Sequence, residues 1–582
     1  MRSVAEGVKR NRIGAWHVRG GVHFRVWAPG FRTVEVVLPA HGRAVRLSPG
    51  RDGLHDAFAQ AVEPGQRYWF QLDGGSPLAD PASRWQPEGV HGPSAVLLEE
   101  FPWTDAAWRG LSLRDYVIYE LHVGTFTREG TFDAVIPYLG ALRELGVTAI
   151  ELMPVAEFPG ARNWGYDGVF PFAAQSTYGG PAGLKRLVDA AHRAGLALVL
   201  DVVYNHLGPE GNVLPKFAPY FHASRHTPWG PAFDFEAAPV REYFLENVRQ
   251  WAEEFHIDAL RLDAVHAVPH AMLREIASLA SRPLLFAEGD RNDPDLVRPP
   301  AAGGCGLDAQ WSDDFHHALH TLLTGERHGY YVDYGSLEQL AKTIREGFCF
   351  TGEYSKRRQG PLGAPARDIP PERFIVFSQN HDQAGNRARG DRLSTLVEFE
   401  ALKLAAALTI LSPFTPLLFM GEEYGETNPF PYFVSHTDPR LVEAVRKGRR
   451  REFPSLGGMP DPQAPATFAS AVLTHVPTPR QQVLREFYRE LLRVRRALPA
   501  NAGDVRIEPG RSVLRVHRRD AGKEFLLFFS FSGEGQTLPD VTGQWRILLQ
   551  SAAPRWGGSS PPDHPSGAWV LAPLSCLVAA SG

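Results

Sequence analysis

Four short polar clusters, each placed at the end of an apolar run, limit the folds open to this sequence. They read Asp201-Val-Val-Tyr-Asn-His206, Arg261-Leu-Asp263-Ala-Val-His266, Phe286-Ala-Glu288-Gly and Ser378-Gln-Asn-His381-Asp382. Polar groups gathered at the carboxyl ends of successive parallel strands form the active site of an α/β barrel. Each cluster contains a carboxylate, which is the group that glycoside hydrolysis requires, and in three of them it is a candidate catalytic residue: Asp263, Glu288 and Asp382.

From residue 116 onward, apolar runs of strand length alternate with segments of helical periodicity. Such alternation predicts βα units and a parallel sheet. The runs lie at 117–121, 149–154, 196–203, 259–265, 284–287, 307–311, 374–377 and 417–420. Apolar residues at helical spacing predict the first two helices at 132–145 and 184–193. Eight strands of this kind predict an α/β fold built on a closed (β/α)₈ TIM barrel.

The segments on either side of this pattern predict β-structure. Runs at 22–27, 33–38 and 68–72, with turn signals between them, predict an N-terminal β-sandwich over residues 1–100. Runs at 513–516 and 525–529 follow an amphipathic helix at 482–498 and predict a C-terminal antiparallel β-domain over 501–582. The barrel should then span 101–500, with a long insert at about 208–235 between the third and fourth strands.

Composition excludes several classes of protein. A net charge of −4 over 582 residues, without a basic stripe, argues against a nucleic-acid partner. No apolar run reaches the roughly twenty residues of a membrane span, and the first sixteen residues show no signal peptide. Three widely spaced cysteines are typical of a reducing compartment. We therefore expect no membrane association and a cytoplasmic location.

Arg261 and Asp263 should share one face of a strand, because residues two apart on a strand project to the same side. A guanidinium beside the carboxylate should keep it ionised. An ionised carboxylate at the mouth of a barrel is suited to nucleophilic attack on a sugar carbon. The alternative is a purely structural ion pair between the two side chains.

Glu288 and Asp382 are the other two candidate catalytic carboxyl groups. The apolar neighbours of Glu288 should raise its pKa and keep it protonated, as a proton donor to a glycosidic oxygen requires. A glutamate at the end of a strand could instead cap a neighbouring helix. Asp382 could bind sugar hydroxyls and stabilise a developing positive charge.

Several polar and aromatic residues near the strand ends are candidates for binding the sugar. His206 and His381 could donate hydrogen bonds to hydroxyl groups, and Tyr166 could form a stacking floor for the reacting ring. The segment around Tyr166 is also explained by a simple turn. Asp201 and Asn205 supply too few oxygen ligands for a Ca²⁺ site, so we interpret them as orienting residues and predict no metal.

The four clusters resemble the four signature regions of the α-amylase superfamily of glycoside hydrolases. The resemblance implies that Asp263 is the nucleophile, Glu288 the general acid/base and Asp382 the transition-state stabiliser. It also implies orienting or substrate-binding roles for the residues that match the remaining signature positions: Arg261, His206, His381 and Tyr166. Members of the superfamily retain anomeric configuration through a covalent intermediate, with the two working carboxyl groups about 5–5.5 Å apart.

Further motifs resemble one subgroup, the maltooligosyltrehalose trehalohydrolases. They are Gln86-Pro-Glu-Gly-Val-His-Gly-Pro-Ser94, Asp313-Asp-Phe-His-His317, Gly329-Tyr-Tyr331, Gln379-Asn-His-Asp-Gln-Ala-Gly-Asn386 and Gly421-Glu-Glu-Tyr-Gly425. The resemblance implies cleavage of the α-1,4 bond next to the terminal trehalose of maltooligosyltrehalose. It also implies maltooligosaccharide ligands, no cofactor, and maltooligosyltrehalose synthase as the functional partner.

Two other functions remain open at this point. A 1,4-α-glucan branching enzyme would share this architecture and would transfer the glycosyl group to a sugar hydroxyl. A non-catalytic glycan-binding protein on the same barrel would usually lack one of the three carboxylates. The segments around Trp229, His316 and Tyr330 are our candidates for recognising trehalose, and we include Trp229 among the substrate-binding residues.

Overall fold

The structure is a computed structural model that describes residues 12–98, 100–452, 459–520, 522–538, 541, 543–559 and 569–581. Eight parallel strands close into a barrel in chain order. The first to eighth barrel strands are Ile118–Leu121, Ala149–Leu152, Ala197–Val202, Ala259–Leu262, Leu284–Ala287, Ala309–Trp311, Phe374–Val376 and Thr415–Phe419. The predicted barrel is confirmed. The eighth strand begins two residues earlier than predicted. The predicted run started after Pro416, because proline is rare inside strands and was interpreted as lying outside this one.

The barrel interior changes from apolar to charged along the direction of the strands. Residues two apart on a strand share a face, so the residue two positions beyond an inward-facing side chain also points into the barrel. The deeper interior is apolar and includes Ile118, Ala149, Val199 and Ala259. Two residues further along the same four strands lie Glu120, Glu151, Asp201 and Arg261, all buried. We call these four residues the charged layer.

Helices and short helical turns connect the strands. The α-helices are Val123–Phe126, Phe132–Val135, Leu139–Leu145, Gly180–Arg193, Leu214–Phe217, Ala238–Glu253, His270–Ala277, Asp313–Thr324, Leu337–Glu346, His381–Gly385, Leu393–Leu396, Phe399–Leu411, Pro439–Glu452, Pro465–Ser470 and Pro479–Arg495. The helix predicted at 132–145 is interrupted by a 3₁₀ turn at Ile136–Tyr138. Pro137 causes this break, because proline lacks the N–H that a continuous helix needs.

Two four-stranded antiparallel sheets precede the barrel. One contains Gly14–Val18, Gly21–Trp27, Leu54–Gln60 and Ser48–Pro49, and the other Arg43–Arg46, Val34–Leu38, Arg67–Leu72 and Ser94–Ala95. Their facing side chains pack together: the ring of Phe24 lies 5.0 Å from that of Tyr68 and 6.5 Å from that of Phe70. The predicted N-terminal β-sandwich is confirmed as an element of the fold.

The β-sandwich packs directly on the barrel domain. The ring of Phe70 contacts Phe217 at 6.1 Å, and that of Trp27 contacts Tyr220 at 4.9 Å. Buried Arg84 also lies 3.3 Å from Glu246 on the helix Ala238–Glu253. These contacts hold the sandwich against the segment that follows the third barrel strand.

That segment contains a β-hairpin, Phe221–Thr227 paired with Gly230–Phe233, whose turn presents Trp229. Two further hairpins pair Ala156–Glu157 with Phe170–Ala174, and Tyr354–Ser355 with Gly360–Pro361. Among the described residues, no helix has the length and apolar content needed to cross a membrane.

A five-stranded antiparallel sheet follows the last helix. Its strands are Asp504–Ile507, Val513–Asp520, Lys523–Ser530, Cys576–Ser581 and Trp545–Gln550, and Gln536–Leu538 pairs separately with Trp569–Leu571. The helix predicted at 482–498 is observed at Pro479–Arg495. It starts earlier because Thr478 and Gln481 form a capping box around its first turn. The predicted C-terminal β-structure is confirmed.

Candidate active site

Arg261 forms the centre of the polar groups at the mouth of the barrel. Its side chain is fully buried, and its Nη1 donates to both oxygens of Asp201 at 2.9 and 2.8 Å. The same nitrogen donates to Asp263 Oδ1 at 2.7 Å. Asn205 Nδ2 donates to the second oxygen, Asp263 Oδ2, at 2.8 Å. Both oxygens of Asp263 are therefore held by donors, which favours an ionised carboxylate in one fixed orientation.

Glu288 follows the fifth barrel strand and lies against the same guanidinium. Its Oε2 accepts a hydrogen bond from the backbone N–H of Ala264 at 2.7 Å and lies 3.5 Å from Arg261 Nη2. Burial raises the pKa of Glu288 to about 8; Arg261 opposes the shift, and the negative charges of Asp263 and Asp382 add to it. Glu288 is therefore a neutral carboxylic acid at pH 7.

The backbone between these two residues is strained. Ala264 has φ 42° and ψ 50°, in the left-handed region that residues other than glycine seldom occupy. This turn directs the Ala264 N–H to the carboxyl group of Glu288. Strain of this kind persists where surrounding contacts fix it, and here it ties the end of the fourth strand to Glu288.

Asp382 lies in the first turn of the helix His381–Gly385. The side chain of Asn380 caps this helix by accepting hydrogen bonds from the backbone of Asp382 and Gln383, at 2.9 and 3.1 Å. The Asp382 side chain is 41% exposed and contacts Asn386 Nδ2 at 3.2 Å. Asp382 therefore remains open to the cleft, whereas Asp263 and Glu288 are largely enclosed.

His381 is buried and held by a carboxylate inside the barrel. Its Nδ1 lies 2.5 Å from Glu120 Oε1, and its Nε2 lies 2.8 Å from the hydroxyl of Tyr166. Burial by itself lowers the pKa of His381, but the charge of Glu120, with that of Asp382, raises it to about 9. At neutral pH His381 is therefore an imidazolium.

Tyr166 joins His381 to the residues around Arg261. Its hydroxyl donates to Asp201 Oδ2 at 2.7 Å, and its ring stacks on that of His381 with centroids 5.3 Å apart. The ring remains partly exposed to the cleft. The structure therefore places Tyr166, which the sequence suggested as a stacking floor, near Asp263 and Asp382.

Trp229 and His206 form the rim beside this floor. The Trp229 side chain is 47% exposed, and its ring stacks on His206 at 5.4 Å. Both ring nitrogens of His206 face protein oxygens, one on Asn205 and one on the backbone of Tyr166 at 3.0 Å. His206 therefore supports Asn205 and Trp229 in this structure.

The other two candidates for trehalose recognition differ in exposure. His316 is buried, with its nitrogens 2.7 Å from the carbonyl of Ser378 and 3.0 Å from the hydroxyl of Tyr331. Tyr330 is 46% exposed, and the guanidinium of Arg357 lies 3.8 Å above its ring. Of these two, only Tyr330 presents a surface to solvent.

Sequence reasoning assigned no role to three acidic residues in or beneath the site, although Asp313 stands in one of the motifs quoted above. Glu120 and Glu151 lie in the charged layer, and Asp313 follows the sixth strand. Burial, with the nearby charges of Asp382 and Asp290, raises the pKa of Asp313 to about 7. The available signal was a single charged residue within or just after an otherwise apolar strand. Over the described ranges, no group of three or more histidine, cysteine, aspartate or glutamate side chains is arranged to hold a metal ion.

Known proteins resemble this chain in both sequence and architecture. A family model described as the alpha amylase catalytic domain matches residues 103–225. A malto-oligosyltrehalose trehalohydrolase of Saccharolobus solfataricus is 47% identical over 485 residues, covering 82% of this chain and 85% of the relative. The crystal structure of a Salmonella typhimurium protein, assigned provisionally to the alpha amylases, superposes with a TM-score of 0.89 at 38% identity and covers 98% of this chain and 99% of that one.

A branching enzyme is a more distant relative. A 1,4-alpha-glucan branching enzyme of Corynebacterium jeikeium is 30% identical over 356 residues, which cover 52% of this chain and 50% of that protein. The trehalohydrolase match is thus both closer and longer than the branching-enzyme match. The chain belongs to the malto-oligosyltrehalose trehalohydrolase family of the α-amylase superfamily of glycoside hydrolases.

Proposed function

We propose that the protein hydrolyses the α-1,4-glucosidic bond adjacent to the terminal trehalose of maltooligosyltrehalose, by a retaining double displacement. The observation that carries the proposal is the convergence of Asp263 and Glu288 on one guanidinium, in a chain 47% identical to a malto-oligosyltrehalose trehalohydrolase. One of these groups is fixed as a carboxylate by hydrogen-bond donors, and the other is a neutral acid. This is the pairing that a retaining glycosidase needs.

In the first step, an Asp263 oxygen attacks the anomeric carbon of the glucose unit next to trehalose. Glu288 gives its proton to the glycosidic oxygen, the bond breaks and trehalose leaves, so that the maltooligosyl group becomes an ester of Asp263. In the second step, Glu288, now a carboxylate, takes a proton from water, and the hydroxide oxygen displaces Asp263. Asp382 stabilises the positive charge that develops on the ring in both steps.

The proposed reaction predicts its own products. Incubation with maltooligosyltrehalose should release free trehalose and a shortened maltooligosaccharide, which chromatography identifies. Because two inversions retain configuration, proton NMR at early times should show the new reducing end as the α-anomer. A β-anomer as first product would contradict the double displacement, and an absence of trehalose would contradict the proposed substrate.

Branching activity is the second candidate, since the 30% identical relative carries that name. A branching enzyme passes the maltooligosyl group to a sugar hydroxyl, whereas a hydrolase passes it to water. New α-1,6 linkages formed from amylose, with no trehalose formed from maltooligosyltrehalose, would favour branching. A protein that binds both sugars and turns over neither would be a glycan-binding protein.

Trp229 should contribute to substrate binding more than to the chemical step. The Trp229→Ala variant loses an exposed stacking surface, and aromatic contacts of this kind contribute about 0.5–1.5 kcal/mol, so KM should rise about two- to twelvefold with little change in kcat. The matched control is Phe58→Ala, which removes a 40% exposed aromatic from the N-terminal sandwich. Equal KM values for the two variants, measured by steady-state kinetics, would exclude Trp229 from the binding site.

We also propose a functional partner and a cellular location for the protein. Maltooligosyltrehalose carries a terminal trehalose linkage that another enzyme must form, and we propose a maltooligosyltrehalose synthase as the functional partner. We propose a cytoplasmic location because Cys305, Cys349 and Cys576 are all buried free thiols. Labelling of intact cells and cell fractions with an antibody to the protein tests the location.

A further inference from the structure

The charged layer beneath the active site carries more acid than base. Arg261 forms an ion pair with Asp201, and His381 caps the layer from above as the partner of Glu120. Glu151 is the remaining group, and it is fully buried. Unpaired charge inside a protein is strongly unfavourable, so the state of each of these groups is tied to its partner.

Glu120 binds His381 through two separate contacts. Its Oε1 faces the ring nitrogen Nδ1, and its Oε2 accepts the backbone N–H of His381 at 3.0 Å. The two contacts fix both the position of the residue and the orientation of its ring. Glu120 is itself 1% exposed, so it acts on the cleft only through His381.

The protonation state of His381 sets the direction of the hydrogen bonds that follow. In the imidazolium, Nδ1–H donates to Glu120 and Nε2–H donates to the hydroxyl oxygen of Tyr166. The Tyr166 hydroxyl then donates to Asp201, which accepts from Arg261. A neutral ring with its proton on Nδ1 would make Nε2 an acceptor, and the Tyr166 hydroxyl would turn from Asp201 to His381.

We propose that Glu120 is a positioning residue, which keeps His381 protonated and thereby fixes Tyr166, the aromatic floor of the sugar site. The inference rests on the proposed function and extends it to a residue that does not touch substrate. The charged and titratable groups facing His381 from the surrounding elements are Glu120, His122, Glu151, Tyr166, Asp201, Arg261 and Asp382. Among them, Glu120 alone forms an ion pair with His381 Nδ1, whereas Asp382, which is 41% exposed, lies 3.6 Å from Nε2.

Glu151 supplies a matched control from the same layer. It pairs in register with Glu120 on the neighbouring strand and is equally buried. Neither of its carboxyl oxygens has a hydrogen-bond partner among the described residues. Burial, followed by the charges of Glu120 and Asp201, raises its pKa well above the ordinary value and so favours the neutral acid. Replacing Glu151 by glutamine therefore changes no charge, whereas replacing Glu120 by glutamine removes one.

The experiment compares Glu120→Gln with Glu151→Gln on maltooligosyltrehalose across pH. Without Glu120, the buried one of its two carboxylate partners, His381 should lose its proton near neutral pH, because burial favours the uncharged ring. At about pH 8, KM of Glu120→Gln should rise about tenfold, the change expected when a charge-assisted hydrogen bond worth roughly 1.4 kcal/mol is lost. Lowering the pH to about 5.5 should bring KM most of the way back to the wild-type value, since the ring is protonated again. Glu151→Gln should keep the wild-type profile.

A purely structural role for Glu120 predicts a loss that does not depend on pH, and this result would overturn the inference. If Glu120→Gln does not fold, the wild-type enzyme still provides a test by histidine NMR, with the His381 signal assigned by its loss in His381→Asn. The ring should stay protonated to about pH 9, and titration near the ordinary 6.5 would refute the proposal. A wild-type enzyme that releases no trehalose contradicts the proposed function instead, so the two failures are distinguishable.

Discussion

Replacing Asp263 by asparagine should lower kcat on maltooligosyltrehalose by about 10⁴-fold or more while the protein stays folded. An amide oxygen is a poor nucleophile and cannot form the glycosyl ester, so the covalent route is lost. A loss of this size corresponds to at least about 5.4 kcal/mol of transition-state stabilisation. The fold should survive because Arg261, the buried cation beside Asp263, keeps both of its hydrogen bonds to Asp201.

The control for this variant is Asp133→Asn, the same chemical change at the surface. Asp133 forms an exposed ion pair with Arg186, and such pairs contribute little to stability. Initial rates and the midpoint of thermal unfolding should be measured for both variants. Turnover of Asp263→Asn within tenfold of the wild type, with an unchanged unfolding midpoint, would show that another group is the nucleophile.

Sequence patterns predicted the barrel because its strands are covered on both faces. Such strands are short apolar runs, and the polar residues at their ends stand out against them. Asp263, Glu288 and Asp382 were identifiable for this reason, since each follows an apolar run in a repeating βα pattern. The spacing of Arg261 and Asp263 also predicted their contact, because it depends only on the two-residue period of a strand.

The two glutamates of the charged layer were not predictable from sequence patterns. Glu120 and Glu151 lie inside apolar strands, and each taken singly is as compatible with a helix-facing or capping position as with the barrel interior. Their contacts depend on closure of the barrel, which brings Glu120 on the first strand next to His381, after the seventh strand. The position of Trp229 against His206 likewise depends on how a long insert folds back over the strand ends.

Replacing Glu288 by glutamine should lower kcat/KM on maltooligosyltrehalose about 10³-fold and remove one limb of the pH profile. Glutamine has the shape of the acid but no proton to give to the departing trehalose oxygen, and general acid–base catalysis contributes about 10²–10⁴-fold. In the wild type, the proton is present below the raised pKa of Glu288, about 8, and is lost above it. Wild-type kcat/KM should therefore fall as pH rises through about 8, and the variant should show no fall there.

The choice of leaving group separates this role from a structural one. A maltooligosyl fluoride needs no proton to leave, so Glu288→Gln should still react with it at Asp263 and should accumulate the glycosyl ester, because no base is left to activate water. Mass spectrometry detects the added maltooligosyl group, and azide, which needs no base, should release it as the α-azide. An Asp263→Asn, Glu288→Gln double variant is the control and should accumulate no ester. Equal losses on the fluoride and on maltooligosyltrehalose would mean that Glu288 is not the proton donor.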